Sequence, residues 1–213
     1  TILILVNGRP LGVEWAAEHL PAIVEAWAPG MYAGQAVAEI LYGKVNPSAK
    51  LAITIPRSVG QLQMIYNHKP SQYFHPYAVK PSTPLWPFGY GLSYTTYKYD
   101  DLKLSAKEVS QNQNVEVSVK VTNTGQRDGV EIVQLYIRDK YSSVTRPVKE
   151  LKDFARVALK AGESKVVTFT ITPDKLAFYD KKMKWIVEPG EFVVMAGASS
   201  ADESLLKETF ILK

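Results

Sequence analysis

Apolar and polar positions follow two different rhythms along this chain. The opening residues Ile2-Leu3-Ile4-Leu5-Val6 form a continuous apolar run of strand length without polar alternation, which predicts a strand buried on both faces. Turn chemistry follows in Asn7-Gly8-Arg9-Pro10. Val13 to Leu20 holds a short helix, and Ala22 to Trp27, set between Pro21 and Pro29-Gly30, reads as a second buried strand. Ala33 to Tyr42 reads as a helix with Val37, Ile40 and Leu41 on one face and Gly43 as its stop. Leu51 to Ile55, closed by Pro56, reads as a third strand. Strand, helix, strand, helix, strand is part of a doubly wound α/β sheet. A strand buried on both faces needs neighbours and covering helices, so the chain is expected to start inside a domain.

The rhythm changes to period two after residue 101. Val115, Val117, Val119 and Val121 alternate with Glu116, Ser118, Lys120 and Thr122. Val133, Leu135 and Ile137 alternate with Gln134, Tyr136 and Arg138, and Val167, Phe169 and Ile171 alternate with threonines. Trp185 to Val187 and Phe192 to Ala196 flank Glu188-Pro189-Gly190, which reads as a hairpin turn, and Thr209 to Leu212 closes the chain. Short strands with turns at regular spacing predict an immunoglobulin- or fibronectin III-like sandwich. The expected fold is thus an α/β fragment, a partial doubly wound sheet, followed by an all-β sandwich.

Between these two regions no clean period is visible. Ten aromatics lie between residues 57 and 100 among repeated prolines, too many for a flexible linker, so this stretch predicts an ordered arm packed on other surfaces. The expected division is 1–60, 61–100 and 101–213.

Composition removes several classes of function. With 46% hydrophobic and 22% charged residues the chain is neither disordered nor fibrous. No apolar run approaches membrane-helix length, so no membrane span is expected. Net charge is +4, and the tightest basic group, Lys181, Lys182 and Lys184, falls in a turn, which points to a solvated face and not to nucleic acid. Cysteine is absent, so thiol chemistry and zinc-thiolate sites are excluded. The three histidines His19, His68 and His75 lack metal-ligand spacing, so no metal and no cofactor are expected. The turn Gly30 to Gly34 opens a helix but lacks dinucleotide-binding glycine spacing, which argues against a nucleotide-binding fragment.

An ordered series of short segments carries a resemblance. It runs through Asn7-Gly8-Arg9-Pro10-Leu11, Asn46-Pro47-Ser48-Ala49-Lys50-Leu51, Pro56-Arg57-Ser58-Val59-Gly60-Gln61 and Tyr66-Asn67-His68-Lys69. It continues through Pro84-Leu85-Trp86-Pro87-Phe88-Gly89-Tyr90-Gly91-Leu92-Ser93-Tyr94, Arg146-Pro147-Val148-Lys149-Glu150-Leu151 and Val187-Glu188-Pro189-Gly190. Over essentially the whole chain, this resembles the C-terminal third of a glycoside hydrolase family 3 enzyme of the periplasmic β-glucosidase type. The resemblance implies a retaining β-glycosidase acting on a β-linked oligosaccharide or glucoside, in the periplasm or outside the cell. It also implies a nucleophilic Asp on a barrel domain and an acid/base Glu earlier in the α/β domain. Neither motif has a counterpart in this sequence, so no catalytic residue is assigned. Pairs such as Asp100-Asp101 and Asp202-Glu203 are adjacent loop carboxylates, not groups held across a sugar ring.

Tyr66, Asn67 and His68 are the candidate substrate-binding residues, because loops beyond sheet strands edge the ligand crevice in α/β folds. The same loop is also read as a clamp against a barrel domain. Trp86, Phe88, Tyr90, Tyr94 and Arg146 are expected to serve interdomain packing, since aromatics bury large areas and tolerate wet edges. The partners expected are a barrel with the rest of the α/β domain, or a second copy meeting the apolar opening strand. The rival reading, a free-standing carbohydrate-binding or adhesion module, would need a planar row of exposed aromatics.

Overall fold

The computed structural model describes residues 1–62, 64–70, 78 and 81–213. At the front, β1 (Ile2–Leu5) pairs in parallel with β2 (Ala22–Glu25), from Ile2 opposite Ala22 to Leu5 opposite Glu25. A parallel pair needs a crossover, and α1 (Glu14–His19) supplies it. Asn7 ties the end of β1 to β2 by donating from its side-chain amide to the Glu25 carboxylate at 3.1 and 3.2 Å. Next comes α2 (Ala33–Leu41), and the backbone leaves it through Gly43 at φ 71°, a left-handed conformation that glycine enters without a Cβ penalty.

Two expectations for this region are corrected. β1 is not buried on both faces: Ile2, Ile4 and Val6 are exposed. Among the described residues β1 has one paired edge, and the short helices do not cover both of its sides. Leu51 to Ile55 does not form a third strand of that sheet. It makes a single antiparallel bridge, Ile55 with Trp86, and bonds to the arm: Leu51 N–H to Tyr90 O at 2.8 Å and Gly89 N–H to Leu51 O at 2.7 Å. Pro56, Pro84 and Pro87 lack the N–H groups a longer ladder needs, so pairing stops after one bridge.

Two facing sheets make the sandwich. One has five strands in the order β4 (Glu108–Val109), β12 (Leu205–Leu212), β11 (Gly190–Gly197), β6 (Gly129–Asp139) and β7 (Glu150–Leu159). The other orders β3 (Tyr97–Leu104), β5 (Val115–Asn123) and β8 (Ser164–Ile171). The period-two valines of β5 point into one core with Val133, Leu135 and Ile137 of β6 and Val167, Phe169 and Ile171 of β8. Full burial of each such side chain contributes about 1.5–3 kcal/mol.

A second cluster lies on the outer face of the five-stranded sheet, where Tyr136, Met195 and Leu205 pack with Tyr66, Phe88, Leu151 and Val193. Because the arm covers that face, β6 is buried on both sides, and Gln134 and Tyr136 are as inaccessible as their inward neighbours. The hairpin expected at Glu188-Pro189-Gly190 is also corrected. After the short helix α3 (Pro173–Leu176), β9 (Phe178–Tyr179) pairs with β10 (Trp185–Ile186), while β11 pairs with β12 and β6. The chain changes sheets at Pro189, and the true turn is Asp180 to Lys184. There the Asp180 carboxylate accepts from the backbone N–H groups of Lys182 and Lys184 at 2.8 Å each.

Candidate functional site

The arm is stitched to the sandwich by backbone groups. Ser200 N–H donates to Phe88 O at 2.9 Å, and the Gln134 amide donates to Gly89 O at 3.1 Å and to Ala198 O at 2.7 Å. Gly89 sits at φ 79°, and a Cβ there would lie 2.0 Å from Gln134 Oε1. Only glycine permits both that conformation and that approach. Phe88 stacks on Tyr66 with centroids 4.2 Å apart and planes at 19°, and Tyr136 meets Tyr66 edge-on at 5.9 Å. Leu151 N–H donates to the Tyr66 hydroxyl at 3.2 Å, while burial pushes that hydroxyl's pKa up. One face of Tyr66 is therefore occupied by Phe88.

His68 follows on a loop pinned to the sandwich, its carbonyl accepting from Val148 N–H at 3.0 Å and its Nδ1 lying 2.8 Å from Lys69 O. Asn67 is half-buried between them. Tyr66 and His68 line an open groove of about 940 Å³ together with Arg57, Lys149, Asp202 and Lys207. Lys149 is only 6% exposed, and its ammonium donates to Ser200 O at 2.8 Å and to Asp202 Oδ1 at 3.1 Å. Partial burial raises the Asp202 pKa, but Lys207 at 2.8 Å and Lys149 outweigh it and hold the carboxyl below its usual range. Such a groove offers hydrogen-bond donors and acceptors to a polyhydroxylated ligand.

The remaining residues singled out in the sequence fall in three places. Trp86 and Tyr90 stack within the arm with planes at 7°. Tyr94 reaches the α/β part, its hydroxyl donating to Ile40 O at 2.7 Å and its N–H to Asn46 Oδ1 at 2.8 Å, while Arg127 of the sandwich lies over its ring at 5.7 Å. Arg146 turns onto its own sandwich, over the Phe178 ring at 4.5 Å and bonded to Glu150 at 2.5 Å. His19 stacks on Trp15, and His75 lies outside the described residues. Among the described residues no group of three His, Asp or Glu side chains could hold a metal ion, and no helix is long and apolar enough to cross a membrane.

Sequence reasoning missed the buried charges. Glu131, 1% exposed, accepts from the Tyr99 hydroxyl at 2.7 Å and lies 3.3 Å from Lys50 Nζ. Asp139 is 8% exposed. The signal was parity: both carboxylates share the odd positions of β6 with Val133, Leu135 and Ile137, and period two sends that row inward.

The end of the α/β part, the arm and the sandwich line the groove together. Residues 1–94 match the glycosyl hydrolase family 3 C-terminal domain, and residues 131–200 match a fibronectin type III-like domain. The chain therefore carries the C-terminal domain of glycoside hydrolase family 3 followed by a fibronectin type III-like domain. It is 45% identical to a β-xylosidase of Formosa agariphila, over 100% of this chain and 30% of that protein. It is 43% identical to a periplasmic β-glucosidase of Salmonella typhimurium, over 94% of this chain and 28% of that protein. A solved β-glucosidase from Erythrobacter marinus superposes with a TM-score of 0.96 at 45% identity, covering 100% of this chain and 28% of that one. The chain thus spans about 30% of the length of the relatives it matches.

Proposed function

We propose that this chain serves as the C-terminal segment of a retaining β-glycosidase that cleaves β-glucosides or β-xylosides in the periplasm or outside the cell. Alignment of nearly every residue with β-glucosidases and β-xylosidases more than three times its length carries this reading. In such an enzyme the segment braces the assembly and lends the Tyr66-Asn67-His68 loop to the rim of the sugar subsites. The two carboxyl groups of a retaining mechanism stand roughly 5–5.5 Å apart, one nucleophilic and one cycling as acid and base. The groove wall carries two carboxylates, Asp202 and Glu203, but Asp202 is committed to two lysines, and the two are neighbours in one 3-10 turn and not groups held across a sugar ring. The reactive pair therefore comes from outside these residues, and residues 1–60, 61–100 and 101–213 act as an α/β portion, an arm and a sandwich. The half-exposed strand β1 and the exposed Trp15 supply apolar surface on which the rest of such an enzyme packs.

The test is made on the full-length enzyme. His68→Ala should raise KM for oligosaccharides several-fold while leaving KM for a small aryl glucoside nearly unchanged, because a rim residue meets only the longer substrate. Equal kinetics on both substrates would remove His68 from the rim.

A further inference from the structure

The loop after β6 and Pro70 border a second, half-open polar cavity, of about 170 Å³, lined by Arg138, Asp139, Lys140, Tyr141, Ser142 and Arg146. Two of its groups are buried without a protein partner among the described residues: Asp139 Oδ2 and Arg146 Nη1. Asp139 is 8% exposed and the Arg146 side chain 9%. Unpaired buried polar atoms are costly, so each calls for a ligand group or a solvent molecule.

Charge decides which ligand fits. Arg146 spends its Nη2 on Glu150 and Lys140 is tied to Glu191 at 2.9 Å, while the Nη1 of Arg146 stays unspent. A bare cation entering the cavity would meet that guanidinium, and a bare anion would meet Asp139, with Glu188 adding further negative charge beside it. A neutral ligand whose adjacent hydroxyls both donate and accept satisfies the two groups at once. The volume equals about five or six water molecules' share of liquid, room for one sugar ring and not for a chain. Tyr141, 74% exposed at the edge, offers a ring on which the C–H face of a sugar can lie.

We propose that this cavity is a monosaccharide-binding subsite of the sandwich, in which Asp139 accepts from one hydroxyl, Arg146 donates to its neighbour, and Tyr141 stacks on the ring. Burial pushes the Asp139 carboxyl up against the pull of Arg146 and of the Tyr141 N–H and Ser142 hydroxyl that donate to it, and Oδ2 alone is left without a partner. The site lies on the β6–β7 loop and adjoins the larger groove at Arg138 and Pro70, but none of the three groups invoked for it lines that groove, so it does not depend on the reading of the groove.

The experiment is amide NMR of the 213-residue chain titrated with methyl β-D-glucopyranoside and methyl β-D-xylopyranoside, with glycerol as a polyol control. Shifts should concentrate on residues 139–146 for at least one glycoside and be absent with glycerol. Asp139→Asn keeps the shape of the side chain and should weaken binding at least about tenfold. Tyr141→Ala, at an exposed position that leaves the core intact, should weaken it as well. The proposal is overturned if neither glycoside shifts these amides, if glycerol shifts them equally, or if the shifts persist in Asp139→Asn and Tyr141→Ala.

Discussion

Two aspartates placed a few residues from the same sheet are driven in opposite directions by their surroundings. For Asp139, burial outweighs Arg146 and raises the carboxyl above its unfolded value. A raised carboxyl favours folding while protonated, and that contribution disappears as pH climbs through the folded-state pKa. Asp139→Asn should therefore raise Tm relative to the parent chain at neutral pH, with the gain shrinking toward acid. For Asp202, burial alone acts upward, but Lys207 and Lys149 dominate and lower the carboxyl. Its contribution is present above the unfolded pKa and fades as pH falls through the folded value, so Asp202→Asn should lower Tm at neutral pH and have no effect in strong acid. The effect will be small, because the Asp202 side chain is 68% exposed and solvent screens the pair. Thermal melts of both variants across pH check the two signs together. Neither environment was legible in the sequence, since a carboxylate's partners come from segments far away, such as Lys149 beside Asp202. The inward phase of Asp139 was legible, because it keeps step with the apolar row of β6.

At the scale of elements, β6 shows where pattern reading succeeds and where it stops. Alternation placed Val133, Leu135 and Ile137 in the core, but it gave Gln134 and Tyr136 to solvent, and the arm buries them. Period two reports the pleat of a strand and not what lies over its outer face. Likewise Trp185 and Ile186 have strand composition, yet their partner is β9 and not β11, because a turn signal such as Glu188-Pro189-Gly190 does not distinguish a hairpin from a crossing between sheets. β7 was invisible since its residues 150–159 are charged and half-exposed along an edge. The arm's seating rests on Gly89, whose Cβ position is filled by Gln134. Gly89→Ala combines a left-handed backbone with overpacking and should cost about 2–5 kcal/mol in chemical denaturation.

Over the whole molecule, the α/β part and the sandwich are joined by a buried ion pair in addition to the arm. Lys50 follows α2 and reaches Glu131 on β6 at 3.3 Å, with side-chain exposures of 12% and 2%. Its ammonium also donates to Gly91 O at 3.2 Å. Removing one partner leaves the other charge buried and uncompensated, so Lys50→Met should destabilise the chain by about 3–5 kcal/mol. Restoring neutrality with Glu131→Gln in the same chain should recover part of that loss, which equilibrium unfolding of the single and double variants reads directly. These ties hold the groove-bearing loop in a fixed relation to the sandwich, as a bracing segment requires. The most direct measurement is hydrolysis of 4-nitrophenyl β-glucoside and β-xyloside by the purified 213-residue chain beside the full-length enzyme. The full-length enzyme should turn over both substrates while the chain alone shows no hydrolysis above buffer; turnover by the chain itself at about 1 s⁻¹ or faster, an ordinary enzymatic rate, would place the reactive carboxylates within these residues instead.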